Sequence, residues 1–242
     1  MRPRLVLAAA ATGPWPLLSA VSLLGWAALI GSSHSFAISN YCGAAAGQWD
    51  LGVWQGSQSL LQFNPPGGLV PHWTLMLLAM MSPLLAEPLT YVWRRSLARR
   101  RLRALTAFLI AYLGVWVLAG IPLSLAAIGF RELAELRQAW LPPAAIAVAL
   151  LWQMTPAKQT CLNRCHRLPR LSAFGVAADR DCLRYGFVTA IWCVGACWGL
   201  MLVPLVVDAW HLAVMAAVSI VLIAERQATP RPARWGLLRP AL

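Results

Sequence analysis

The chain has 242 residues, of which 60% are hydrophobic and only 12% are charged. This balance excludes an ordinary soluble domain. Its formal net charge is +12, but the arginines stand in short blocks between long apolar runs. Such blocks are typical of the cytoplasmic loops of a membrane protein and not of a surface that binds nucleic acid. We therefore expect a multi-pass membrane protein that is surrounded by lipid and has no nucleic-acid partner.

Six apolar runs follow one another, each near the ~20 residues that a helix needs to cross a bilayer. They predict spanning helices at 15–38, 72–93, 104–129, 140–157, 185–207 and 209–224, with an outer loop at 39–71 and a basic cytoplasmic tail at 227–242. Backbone polar groups in lipid must be satisfied within their own helix. The predicted fold class is therefore all-α, a polytopic helix bundle forming a single membrane domain over residues 1–242.

The positive charges predict the orientation of this bundle. If the N-terminus is inside, 18 of the 20 Lys and Arg residues fall on the inner side, and only Arg131 and Arg137 fall outside. Positive residues concentrate in cytoplasmic loops. Both termini are therefore expected in the cytoplasm.

The fifth run contains three sulfur-bearing residues at intervals of four. Cys193, Cys197 and Met201 form one stripe along a helix, since four residues make slightly more than one turn. Soft sulfur ligands favour Cu(I) among the metals that proteins bind. The stripe predicts one wall of a copper site, although Cys and Met also serve as ordinary apolar filling.

Further residues fall at matching depths on the second and sixth helices. Met76 and Met80 share a helix face and are predicted to form the opposite wall of the site, and Met215 is a weaker candidate ligand. Glu87 falls on nearly the same stripe. A carboxyl group at membrane depth has a partner or a role, so Glu87 is either an intramembrane acid or a carboxylate paired with Arg94 or Arg95.

A second pair of cysteines follows the fourth run. Cys161 and Cys165, with the neighbouring His166, form a possible second metal site, or an interfacial helix with idle thiols. Pro156 suits a helix start with Thr155 as its cap, and nearby arginines are expected to lower the pKa of both thiols. Cysteines four apart on a helix hold their Cβ atoms ~6 Å apart, too far for a disulfide, so a metal fits better.

Three segments carry a family resemblance. Residues Trp73 to Pro83, Gln153 to Cys165 and Gly186 to Met201 resemble, in that order, segments of a bacterial family described as predicted metal-binding integral membrane proteins, over about residues 70–226. Some members resemble a copper chaperone that serves a tyrosinase. The resemblance implies metal handling in the bacterial inner (plasma) membrane, with a copper enzyme or a membrane complex as partner.

Three functions remain open on these observations. The leading one is a non-catalytic membrane protein that holds Cu(I) and passes it to a copper enzyme. The second is an accessory or structural subunit of a larger membrane complex. The third is a small-solute transporter or a membrane thiol enzyme, but neither the inverted repeats of a transporter nor a hydrolase or protease motif is found.

Overall fold

Most of the described residues are helical. A computed structural model describes residues 14–32, 66–135, 141–207 and 210–236, and it contains no strand within those ranges. The α-helices are α1 (Trp15–Ser32), α2 (Pro66–Met81), α3 (Ala86–Arg95), α4 (Arg101–Glu135), α5 (Leu141–Met154), α6 (Pro156–Cys165), α7 (Gly175–Val206) and α8 (His211–Gln227). The all-α prediction is confirmed. Cys42 and most of the predicted outer loop lie outside the described residues.

Two helices are long and apolar enough to cross a membrane, namely Ala98–Ala127 and Gly175–Val206. A third span results if the bent pair formed by α2 and α3 crosses as one unit. The apolar helices Trp15–Gly31 and Pro143–Met154 are shorter. Two or three candidate spans are thus present in the described residues, and the six-span topology stays a prediction.

The predicted second span is broken near its middle. Ser82 donates its hydroxyl to Leu78 O at 2.5 Å, Pro83 supplies no N–H to the helix ladder, and one turn of 3-10 helix follows at Pro83–Leu85. The two parts meet at 52°. Met80 and Glu87 therefore lie on different helices and do not continue one face, contrary to the prediction.

The predicted fourth span is also shorter than expected, because its helix ends at Met154 and not at residue 157. A new helix begins at Pro156. Thr155, with an extended backbone, accepts a hydrogen bond from Lys158 N through its side chain, and proline occupies the first turn. The predicted cap at Thr155 is confirmed, and the break at this residue separates α6 from α5.

Helix α7 is the centre of the bundle and packs against α4, α5, α6 and α8. Its start is tied to the start of α4 by ion pairs from Arg100 and Arg103 to Asp179, at 2.8 and 2.7 Å. Further along, Gly186 lies directly against Phe108. Since the contacts advance together along both helices, α4 and α7 run parallel, with their arginine-rich ends side by side.

Candidate metal centre

The two cysteines of α7 lie sulfur to sulfur in the bundle interior. Cys193 Sγ and Cys197 Sγ are 4.0 Å apart, and the two residues are 7% and 6% exposed. Tyr112 of α4, itself buried, donates its hydroxyl to Cys193 Sγ at 3.2 Å. The sequence prediction that these thiols share a helix face is confirmed, and a tyrosine that sequence reasoning did not single out completes the group.

The sulfur separation suits a bound metal better than a disulfide. A disulfide bond is ~2.05 Å long, so these atoms are not bonded. A metal with bonds of ~2.3 Å to two sulfurs 4.0 Å apart subtends an angle of about 120° at the metal. That angle is the one found in a trigonal plane, in which a third ligand position remains open.

A third thiol borders the same space. Cys165, at the C-terminal end of α6, lines one small cavity together with Cys193 and Cys197. The cavity measures about 20 Å³, room for a single water-sized particle. Its remaining lining residues are Leu84, Leu85, Pro88, Tyr112, Leu162, Thr189, Ala196, Leu222, Glu225 and Arg226. One cysteine of the α6 pair, Cys165, therefore lines the same cavity as both cysteines of α7, although the sequence presented the two pairs as separate sites.

A buried ion pair holds α6 in this position. Lys158, the only lysine of the chain, is 5% exposed and its Nζ contacts Glu225 Oε1. Gln153 donates its amide to the same oxygen at 2.8 Å. Because Glu225 lies in the last turns of α8, these contacts fasten the start of α6 to the end of α8.

A close approach to α7 brings the other cysteine of α6 inward. A Cβ atom placed on Gly195 would lie 2.9 Å from Cys161 Sγ, so glycine is required for α6 to pack this near. Trp152 donates its indole N–H to Gly195 O at 3.0 Å beside this contact. Cys161 is partly exposed and Cys165 is buried, so the pair leads from the surface of the bundle toward the cavity.

The methionines named by the sequence are buried but do not line this cavity. Met76, Met80, Met201 and Met215 are 0% exposed and belong to the same apolar core as the thiols. Facing the thiols are Leu84, Leu85 and Pro88, which follow the bend in the second predicted span. Among the described residues, no three His, Cys, Asp or Glu side chains stand close enough together to hold a metal ion.

Glu87 and His166 lie at the edge of the cavity. Glu87 Oε2 is 3.9 Å from His166 Nδ1 and 3.9 Å from Arg226 Nε, and the carboxylate side chain is 51% exposed. Its partners are therefore residues distant in sequence, not Arg94 or Arg95 as considered above. Burial and the neighbouring Arg226 lower the pKa of His166.

The thiols of α6 do not have the lowered pKa values that the nearby arginines suggested. Burial raises the pKa of Cys161 despite the charge of Arg164. Burial also raises the pKa of Cys165, more strongly than the charge and hydrogen bonding of Arg226 lower it. The expectation was wrong because it counted neighbouring charges and left out desolvation.

Sequence reasoning missed the charged groups Glu225 and Arg226, which line the cavity from α8. A weak signal for them existed. They stand directly after an apolar run of the sequence. An ionised pair at that place is expected either at the membrane interface or against partner side chains. Their partners depend on how α6 packs against α8, and the spacing of residues along the sequence does not contain that information.

The comparison with known proteins assigns most of the chain to one family. No curated protein and no solved structure matches the chain. The sequence model of the PpoB2 family, described as copper chaperones, matches residues 70–238. This range contains every described residue of the cavity and more than half of the chain. It also agrees with the family resemblance noted in the three sequence segments, and the chain belongs to the PpoB2 copper-chaperone family.

Proposed function

We propose that the protein is a non-catalytic membrane chaperone that holds Cu(I) between the sulfurs of Cys193 and Cys197 and delivers it to a copper enzyme. The family supplies the association with copper chaperones. The observation that carries the assignment to residues is the buried sulfur pair 4.0 Å apart beside a cavity that a third thiol also lines.

Cys165 is the third ligand in this proposal. It borders the same cavity as Cys193 and Cys197. A metal must displace the protons of its thiol ligands, and Tyr112 donates a hydrogen bond that stabilises the Cys193 thiolate so formed. A modest shift of α6 toward α7 would bring the third sulfur within bonding distance.

In this proposal, the buried methionines offer a second binding position for Cu(I) on its way through the bundle. Met201 lies one helical turn beyond Cys197, and Met76, Met80 and Met215 are buried in the same core. Thioethers bind Cu(I) and bind harder ions poorly. In this proposal, copper enters from the side of the arginine-rich ends of α4 and α7, reaches Cys161 and Cys165, and leaves past the methionines toward the opposite face.

We also propose a location in the bacterial inner membrane, which would give this route its direction. Two or three helices have the length and apolarity of membrane spans, and the arginine-rich ends of α4 and α7 lie together. Positive residues favour the cytoplasmic side. The cavity would then open near the cytoplasm, and the copper enzyme would receive the metal on the other side.

The test is the amount of Cu(I) that the purified protein binds per chain. We expect one Cu(I) in the wild type and almost none in a variant with both Cys193→Ser and Cys197→Ser. Cys182→Ser is the matched control, because Cys182 is also a buried cysteine of α7 but does not line the cavity. Unchanged binding in the double variant would contradict the proposal. Metal-free protein that purifies only with a partner would favour an accessory subunit instead.

A further inference from the structure

We infer that Arg226 makes this cavity selective for monovalent soft cations, Cu(I) and Ag(I), over divalent soft cations of similar ligand preference. The inference rests on the proposed function, because it assigns the selectivity of that same site. Arg226 acts here as a fixed positive charge and not as a ligand, since a guanidinium has no free electron pair to give to a metal.

The position of Arg226 supports this role. It lies in the last turn of α8, lines the cavity with both sulfurs of α7, and its side chain is only 12% exposed. Arginine keeps its charge at any physiological pH. A buried positive charge is costly unless negative charge lies near it, and thiolates formed on metal binding would supply that charge.

The other charges around the cavity leave Arg226 as the main source of positive potential. Glu225 lines the cavity but is paired with Lys158, so these two charges largely cancel. Glu87 is 3.9 Å from Arg226 Nε, but it is 51% exposed, so water weakens its charge and the carboxylate offsets the guanidinium only in part. His166 faces Glu87 from α6.

The selectivity follows from Coulomb's law when both ions bind the same number of thiolates. Two thiolates and one Cu(I) carry a net charge of −1, which the guanidinium offsets. Replacing the monovalent ion by a divalent one adds one unit of positive charge in the cavity. That unit is repelled by Arg226 whether two or three thiolates are present. Repulsion of this kind is strong where water is largely excluded.

The experiment compares the affinities for Cu(I) and Cd(II), two soft ions that differ in charge. Both are measured anaerobically by chelator competition on the detergent-purified full chain, for the wild type, Arg226→Met and Arg226→Lys. Arg94→Met is the control, since Arg94 is an exposed arginine in the last turn of α3. Helical content and elution volume confirm that each variant is folded.

We expect the ratio of Cu(I) to Cd(II) affinity to fall by about tenfold or more in Arg226→Met, because one unit of repulsion is removed. Arg226→Lys and Arg94→Met should keep the wild-type ratio. A merely structural role would weaken both metals together and leave the ratio unchanged. An unchanged ratio in folded Arg226→Met would therefore overturn the inference.

A second variant covers the case in which Arg226→Met does not fold. Glu87→Gln removes the carboxylate nearest to Arg226 from a half-exposed position, so its effect on folding is small. The positive potential then increases, and the ratio of Cu(I) to Cd(II) affinity should rise. A ratio that stays the same or falls would overturn the inference. Copper binding that persists in the Cys193/Cys197 double variant would instead contradict the proposed function.

Discussion

Tyr112 of α4 donates its hydroxyl to Cys193 Sγ of α7 at 3.2 Å. This contact joins two parallel helices at the level of the sulfur pair, and both residues are buried. A hydroxyl donated to sulfur stabilises the thiolate more than the thiol, because hydrogen bonds to charged acceptors are the stronger ones. The hydroxyl is therefore expected to contribute to metal affinity without touching the metal.

Tyr112→Phe should lower the Cu(I) affinity about tenfold, since a hydrogen bond to a charged group contributes ~1.5 kcal/mol. Competition with a Cu(I) chelator measures the effect. Tyr91→Phe is the control, because the Tyr91 hydroxyl donates to Pro169 O at an exposed position. Equal affinities in wild type and Tyr112→Phe would show that Cys193 does not bind the metal as a thiolate.

The ion pair of Lys158 and Glu225 should be visible in a double-mutant cycle. Lys158→Met leaves a mostly buried carboxylate without its cation and should reduce the free energy of unfolding by about 3 kcal/mol. Combining it with Glu225→Gln should recover most of that loss, because no charge is then left unpaired. Denaturation in a mixed detergent series measures the free energies of unfolding of the single and double variants. Additive losses in the double variant would mean that the two side chains do not interact.

The thiols of α6 should react slowly at neutral pH. Burial raises the pKa of Cys161 above its ordinary value, so less thiolate is present at a given pH and alkylation slows. In inside-out vesicles of a variant that retains only Cys161, the rate with an impermeant maleimide should still be rising above pH 9. A rate that levels off below pH 8 would mean that the pKa of Cys161 is lowered, as first expected from the nearby arginines. Labelling only from the outer face would contradict a cytoplasmic position of α6.

The parts of the site that the sequence predicted are the local ones. The contact between Cys193 and Cys197 follows from helical spacing alone, and the start of α6 follows from the Thr155–Pro156 pair. Such features depend on residues at most four apart. They need no knowledge of how the helices pack.

The parts that it did not predict are tertiary. Cys165 lines the cavity with the α7 pair because α6 packs along α7 and is fastened to α8 through Lys158 and Glu225. The matching depths of Met80 and Cys197 assumed a continuous second helix, whereas the bend after Met81 places Leu84 and Leu85 beside the cavity. Breaks of this kind change which residues face each other without changing helical periodicity.

Packing between α4 and α7 near their arginine-rich starts should be sensitive to a single methyl group. A Cβ atom on Gly186 would lie 2.3 Å from the carbonyl oxygen of Phe108, a backbone atom that does not move independently of its helix. Gly186→Ala should therefore lower the free energy of unfolding by about 1–3 kcal/mol. Gly114→Ala, where nothing lies within 4 Å, should not reduce it. Equal stabilities of the two variants would contradict the close approach of α4 and α7.

The last prediction concerns topology, for which parallel packing supplies an argument beyond the charge count. The pairs of Arg100 and Arg103 with Asp179 place the starts of α4 and α7 at one end of the bundle. The chain must therefore return across the bundle between them. Helix α5 is the segment available, although its 14 residues span only ~21 Å, less than a hydrocarbon core of ~30 Å.

Reporter fusions should show this return crossing. We expect a cytoplasmic signal after Arg103 and after Arg234, and an outer signal near residue 138, between α4 and α5. A fusion after Arg170, beyond α6, should again be cytoplasmic, because the fourth predicted span brings the chain back inside. Matching signals at residues 138 and 170 would mean that α5 does not cross, and an outer signal after Arg103 would reverse the whole orientation. Either result would move the cavity thiols away from a cytoplasmic copper supply and leave the proposed direction of transfer without support.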